Sequence, residues 1–98
     1  MAKRLVWSAR AQADFFAILI FWDENNQNDY YSKKLGRRIH ELLFLISENN
    51  FLGKPTATEN VRITVCDSYL IIYEIHGNDI IILTIFDGRR NPKHLKIK

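Results

Sequence analysis

Three apolar runs, Val61–Cys66, Tyr69–Ile75 and Ile80–Phe86, follow one another with only Asp67-Ser68 and Gly77-Asn78-Asp79 between them. Runs of this length, rich in Ile, Val, Tyr and Thr, have the size and composition of β-strands. Connections so short join only antiparallel neighbours, so the sequence predicts a three-strand meander. Alternation sets Val61, Ile63 and Val65 on one face of the first strand, and Arg62, Thr64 and Cys66 on the other. The third run stops at Asp87-Gly88-Arg89-Arg90-Asn91-Pro92, which places a cationic pair at the end of the sheet. That end is the candidate functional region.

The segments before the meander read differently. Arg4–Trp7 is a short strand leading into Ser8, whose hydroxyl can cap a helix by accepting from an orphan amide of its first turn. A helix is expected from about Ala9 to Glu24, with Phe15, Ile18, Leu19 and Trp22 at helical spacing toward the sheet. Phe16, Ile20 and Phe21 widen its apolar arc, so either a second helix or a protein partner must cover the surplus. Asn25-Asn26-Gln27-Asn28 breaks the period, and Asn28 or Asp29 can cap the next helix. That helix, about Asp29 to Ser47, turns Tyr31, Leu35, Ile39, Leu42, Leu43 and Ile46 inward and Lys33, Lys34, Arg37 and Glu41 to water. Two helices so closely connected form an antiparallel hairpin. Residues 48–60 read as a loop broken at Gly53-Lys54-Pro55.

The fold class is therefore α+β, in the order β-α-α-β-β-β. The helical hairpin is expected to pack on a mainly antiparallel four-stranded sheet. Ninety-eight residues suit one domain, 1–98, and a 47% hydrophobic content excludes a disordered chain. The one cysteine, Cys66, leaves no internal disulfide, and no residues sit at metal-ligand spacing, so no metal or cofactor is expected. The apolar run from Phe15 to Trp22 falls far short of the roughly 20 residues a spanning helix needs, and no targeting segment precedes it. A cytoplasmic location is the expectation. The order of elements also argues against an RNA-binding module of the β-α-β-β-α-β type. An oligomerisation domain would account for the apolar first helix but not for the cationic sheet end.

This order, with these residues, resembles the RelE/ParE superfamily of type II toxin–antitoxin toxins. The likeness runs from Trp7-Ser8, Ala11 and Asp14-Phe15 through Leu52-Gly53-Lys54-Pro55 and Asn60-Val61-Arg62-Ile63. It continues through Tyr69-Leu70-Ile71-Ile72-Tyr73 to Gly88-Arg89-Arg90-Asn91-Pro92. The resemblance implies a small toxin silenced by a cognate antitoxin that wraps a segment around it. ParE-like members poison DNA gyrase, whereas RelE-like members cleave mRNA on the ribosome.

Individual residues separate these branches. Metal-free RNA cleavage needs an activated 2′-hydroxyl, stabilised charge on the pentavalent phosphate and a protonated leaving oxygen. RelE-like enzymes mass Lys and Arg on the open sheet face for this work. Here Arg62 matches one basic position, but Thr64 stands where a second base is expected, and Leu70 where the family pattern has an arginine. Arg89 and Arg90 match the basic pair after the last strand, and His94 is the one candidate acid. If the chain is RelE-like, the catalytic candidates are Arg62, Arg90 and His94. The lost cations favour the ParE-like branch, in which Arg62, Arg89, Arg90 and Lys93 contact the target. Phe16, Ile20, Arg89 and Arg90 are the residues expected to meet the antitoxin. Each basic residue also has a plainer reading, with Arg62 paired to Glu59 or Glu74 and the Arg89-Arg90 pair as a solvated end.

Overall fold

The computed structural model describes residues 2–89, so Arg90, Lys93 and His94 lie outside the described residues. Strand β1 spans Arg4–Trp7, helix α1 Ala9–Asn26 and helix α2 Tyr30–Glu48. Strands β2 (Lys54–Pro55), β3 (Val61–Cys66), β4 (Tyr69–His76) and β5 (Asp79–Asp87) follow. They form one sheet in the order β1-β5-β4-β3-β2, in which only the β1–β5 pair is parallel.

The expected meander is present, and both its turns place their first residue at positive φ, Asp67 at 55° and Gly77 at 58°. The sheet has a fifth strand where a loop was expected. Lys54 pairs with Ile63 and Pro55 with Arg62, at the outer edge of β3. Two residues are too few to show a period of two in sequence, and proline is tolerated in a sheet on such an edge.

Register assigns the two faces of the sheet. Arg62, Tyr73 and Ile82 lie abreast, as do Thr64, Ile71 and Ile85. This face packs on the helices: Cys66, Tyr69, Ile71, Tyr73, Ile80, Ile82 and Ile85 share one buried cluster with Ala11, Leu35, Ile39, Leu43 and Ile46. The opposite face carries Ile63, Val65, Leu70, Ile72 and Phe86.

Local chemistry ties α1 to this frame. Trp7 pairs with Ile82, and the register then slips between Ile72 and Tyr73 so that Leu83 has no partner in β4. The Ser8 hydroxyl donates to the Leu83 carbonyl at 2.9 Å and accepts from the Ala11 N–H at 3.0 Å, capping α1 as expected. One turn on, Asp14 stands in for the missing strand neighbour of β5. Its carboxylate accepts from the Thr84 hydroxyl at 2.5 Å and the Ile85 N–H at 3.2 Å.

The helical hairpin leaves much of α1 uncovered. Only Ala11 of that helix is buried, while Phe15, Ile18 and Trp22 pack against the core from partly exposed positions. Phe16 and Ile20 are 61% and 55% exposed, so α2 does not cover the surplus arc. In α2 the inward set holds, with Leu35, Ile39, Leu43 and Ile46 buried. Asp29 occupies the cap position without a side-chain cap bond, whereas the Asn28 side chain accepts from the Tyr30 N–H at 3.0 Å. Among the described residues no helix is long and apolar enough to cross a membrane.

Candidate functional site

Two regions were expected to carry function, the sheet face around Arg62 and the cationic end of β5. The first is built otherwise than its residue types suggested. Arg62 shares its face with Tyr73 and so points to the helix-packed side of the sheet. Its guanidinium donates to the Gly53 carbonyl at 2.6 Å and the Phe51 carbonyl at 3.4 Å, and lies 4.8 Å from the centroid of the Phe51 ring. Alternation along β3 sets Arg62 on the face it shares with Tyr73 and puts Ile63 and Val65 on the other.

Beside Arg62, Tyr73 completes a latch on the segment after α2. The Gly53 N–H donates to the Tyr73 oxygen at 2.9 Å, and the Tyr73 O–H donates to the Asn50 carbonyl at 2.8 Å. Burial pushes the Tyr73 phenol above its ordinary pKa. A Cβ at residue 53 would stand 2.8 Å from the Tyr73 oxygen and 2.9 Å from the Ile63 carbonyl oxygen, so only glycine fits the approach. Arg62, Tyr73 and Gly53 together hold the chain where β2 joins the sheet.

The opposite face presents hydrocarbon. Ile63, Leu70 and Phe86 are half-buried there and Val65 is 60% exposed. Arg62 is the one Lys or Arg in the sequences of β3, β4 and β5, so these strands bring no cation to that face.

The second region is a groove of about 430 Å³ between α1 and the last third of β5, where β1 no longer runs alongside. Arg10, Asp14, Phe21, Tyr69, Phe86 and Asp87 line it. Arg89 is exposed and donates from Nε and Nη2 to the two oxygens of the groove residue Asp87, both at 3.0 Å. The Asp87 carboxylate holds the Arg89 guanidinium above its ordinary value. A bidentate pair of this kind fixes the fork's orientation, while in open solvent it remains exchangeable for another anion. Arg90 and Lys93, expected to continue this cationic end, and His94, the candidate acid, lie outside the described residues.

Several partners in these arrangements escaped the sequence reading. Asp87 is an Asp two residues before an Arg, a spacing common in turns. Asp14 sat among helix residues with nothing to mark it as the acceptor for a strand edge. Phe16 and Ile20 were legible as a surplus, but the sequence left open whether the second helix covers them, and the structure shows that it does not. Among the described residues no group of His, Cys, Asp and Glu could hold a metal ion.

No curated protein sequence matches this chain. Its fold is similar to that of a chain in the chromosomal ParDE toxin–antitoxin system of P. aeruginosa. The TM-score is 0.74 at 22% identity, over 88% of this chain and 96% of that one. It is also similar to a chain of the RelBE2 toxin–antitoxin complex of Mycobacterium tuberculosis, with a TM-score of 0.65 at 14% identity over 89% and 99% of the two chains. Both likenesses describe the same two-helix, mainly antiparallel arrangement. The model of the ParE toxin of the type II toxin–antitoxin system parDE matches residues 5–92, nearly the whole chain. With that match the chain belongs to the ParE toxin family of type II toxin–antitoxin systems, within the RelE/ParE superfamily.

Proposed function

We propose that this toxin acts by binding, with DNA gyrase as its target, and that it performs no RNA cleavage. The observation that supports this reading is the commitment of Arg62. A metal-free ribonuclease has to present cations to the pentavalent phosphate. The one cation of the meander strands is instead turned to the helix side and spent on the Gly53 and Phe51 carbonyls. In this reading Arg62 is a positioning residue for the 49–55 segment. The target is met by Arg89, with Arg90 and Lys93 after it.

A cognate antitoxin is the second partner in this proposal, in keeping with the toxin–antitoxin assemblies whose chains share the fold. Its segment covers Phe16 and Ile20, and it is expected to place carboxylates where Arg89 now meets Asp87. Exposed aromatic and aliphatic side chains of this size are the anchors on which such interfaces depend.

The deciding measurement sets gyrase poisoning against ribosome-dependent mRNA cleavage for the same purified protein. Inhibition of supercoiling with accumulation of cleaved DNA, lost on Arg89→Glu and Arg90→Glu while the melt is unchanged, is the expected result. Ribosome-dependent cleavage that collapses with His94→Ala, by roughly 10²–10⁴-fold for loss of a general acid, would overturn it. The catalytic set would then be Arg62, Arg90 and His94.

A further inference from the structure

The outer face of α2 has no role in the reading above, and its side chains form an uncommon pattern. Its N-terminal half carries Lys33, Lys34, Arg37 and Arg38, and its C-terminal half carries Glu41 and Glu48. Lys33 is paired with Asp29 and Arg38 with Asp67. Lys34, Arg37, Glu41 and Glu48 have no ion-pair partner among the described residues, and all four are exposed. Beside Glu41 stand Phe44 and Leu45, 57% and 53% exposed. Two turns earlier, Gly36 leaves a hollow of about 520 Å³ bounded by Phe15, Leu19, Lys33, Arg37 and His40.

We infer that this face is a self-association surface, on which α2 packs antiparallel against α2 of a second copy. Take a two-fold axis level with residues 39 and 40. It sets Arg37 of each copy opposite Glu41 of the other, and Phe44 of each opposite the hollow at Gly36. The pairing is isologous, so every favourable contact occurs twice. Antiparallel packing lays the basic half of one helix along the acidic half of the other and also opposes their dipoles. An acidic partner helix would suit Lys34 and Arg37 but be repelled by Glu41 and Glu48. A basic one would meet the reverse problem. The split of charge along one helix is complementary to its own reversed image, and this selects the second copy as occupant. The proposed antitoxin patch of Phe16 and Ile20 adjoins this surface, since Phe16 shares a small hollow with Phe15 and His40.

A single helix face is at the small end of interface sizes, so the association is expected to be weak, concentration-dependent and weakened by salt. Sedimentation equilibrium of the purified full chain from micromolar to millimolar concentrations should show a reversible dimer. Phe44→Glu, Arg37→Glu and Glu41→Arg should each weaken it by at least about tenfold, the equivalent of 1.4 kcal/mol, with circular dichroism and melt confirming the fold. The decisive arm mixes the Arg37→Glu and Glu41→Arg proteins. Each repels itself, but the two should pair with one another more tightly than either self-associates. A chain that stays monomeric throughout the concentration range overturns the inference. So does a dimer indifferent to these substitutions, or a failure of the two folded single variants to pair.

Discussion

Replacing Tyr73 with phenylalanine tests how the segment after α2 is held. The ring itself is fully buried and stays in place, so the change isolates the hydroxyl. That oxygen accepts from the Gly53 N–H at 2.9 Å and donates to the Asn50 carbonyl at 2.8 Å. Gly53 is buried, so its amide is left without an acceptor in a site where water is excluded. An orphaned buried donor costs about 1–3 kcal/mol, more than the mean value of a hydrogen bond, because the desolvation penalty is then uncompensated. Each kcal/mol lowers the melting temperature of a domain this size by about 4–8 °C. Urea denaturation at constant m is the assay, with the midpoint falling accordingly.

The same side chain also predicts a pH dependence. Burial raises the folded-state pKa of Tyr73 above its unfolded value of about 10. The stability tied to the protonated phenol is therefore complete below that unfolded value and is lost as pH rises toward the raised folded one. Tyr31, raised by burial and by the neighbouring Asp67 carboxylate, acts in the same direction. Tyr73→Phe should remove part of the alkaline decline and leave the part due to Tyr31. A variant within about 0.5 kcal/mol of wild type at neutral pH, the range of an ordinary surface change, would refute the assignment of Tyr73 as the latch.

Asp14→Ala should cost about 1–3 kcal/mol, since the buried Thr84 hydroxyl and the Ile85 amide both lose their acceptor; Asp14→Asn should recover most of it, with amide exchange at Ile85 as the local readout. Trp22→Ala should cost about 3 kcal/mol, the low end for removing a large aromatic, because the half-buried ring packs on Tyr31 at 4.7 Å and its N–H donates to the Tyr69 oxygen at 2.6 Å. A melt unchanged by that substitution would contradict the packing. Gly36→Ala should raise stability by about 0.5–1 kcal/mol through helix propensity, because a Cβ there would meet Phe15 and Leu19 only at ordinary contact distances of 3.6 and 3.9 Å. Loss of stability would show that α1 and α2 lie closer than these distances.

Local regularities of the sequence determined the elements. Periods of two and 3.6, the breaks at Asp67-Ser68 and Gly77-Asn78, and the Ser8 cap specified β1, both helices and the meander, because each signal spans at most a few turns of chain. The antiparallel sense of the meander followed from connection length alone. The exposed Phe16 and Ile20 were legible as an excess over one stripe, which only the structure could show to be uncovered. Tertiary structure decided what depended on residues distant in sequence. β2 exists because β3 offers it an edge, and two residues have no period of their own. Arg62 looked catalytic by type, yet register with Tyr73 turned it to the helix side, where the Gly53 and Phe51 carbonyls meet it. Asp14 became an edge cap only because β1 ends at Trp7 and leaves Ile85, paired to Ile71 on one side, without a strand neighbour on the other. Alternation along a strand tells which residues share a face, but which of the two faces meets the helices is set by the whole core, through the larger apolar area that one choice buries.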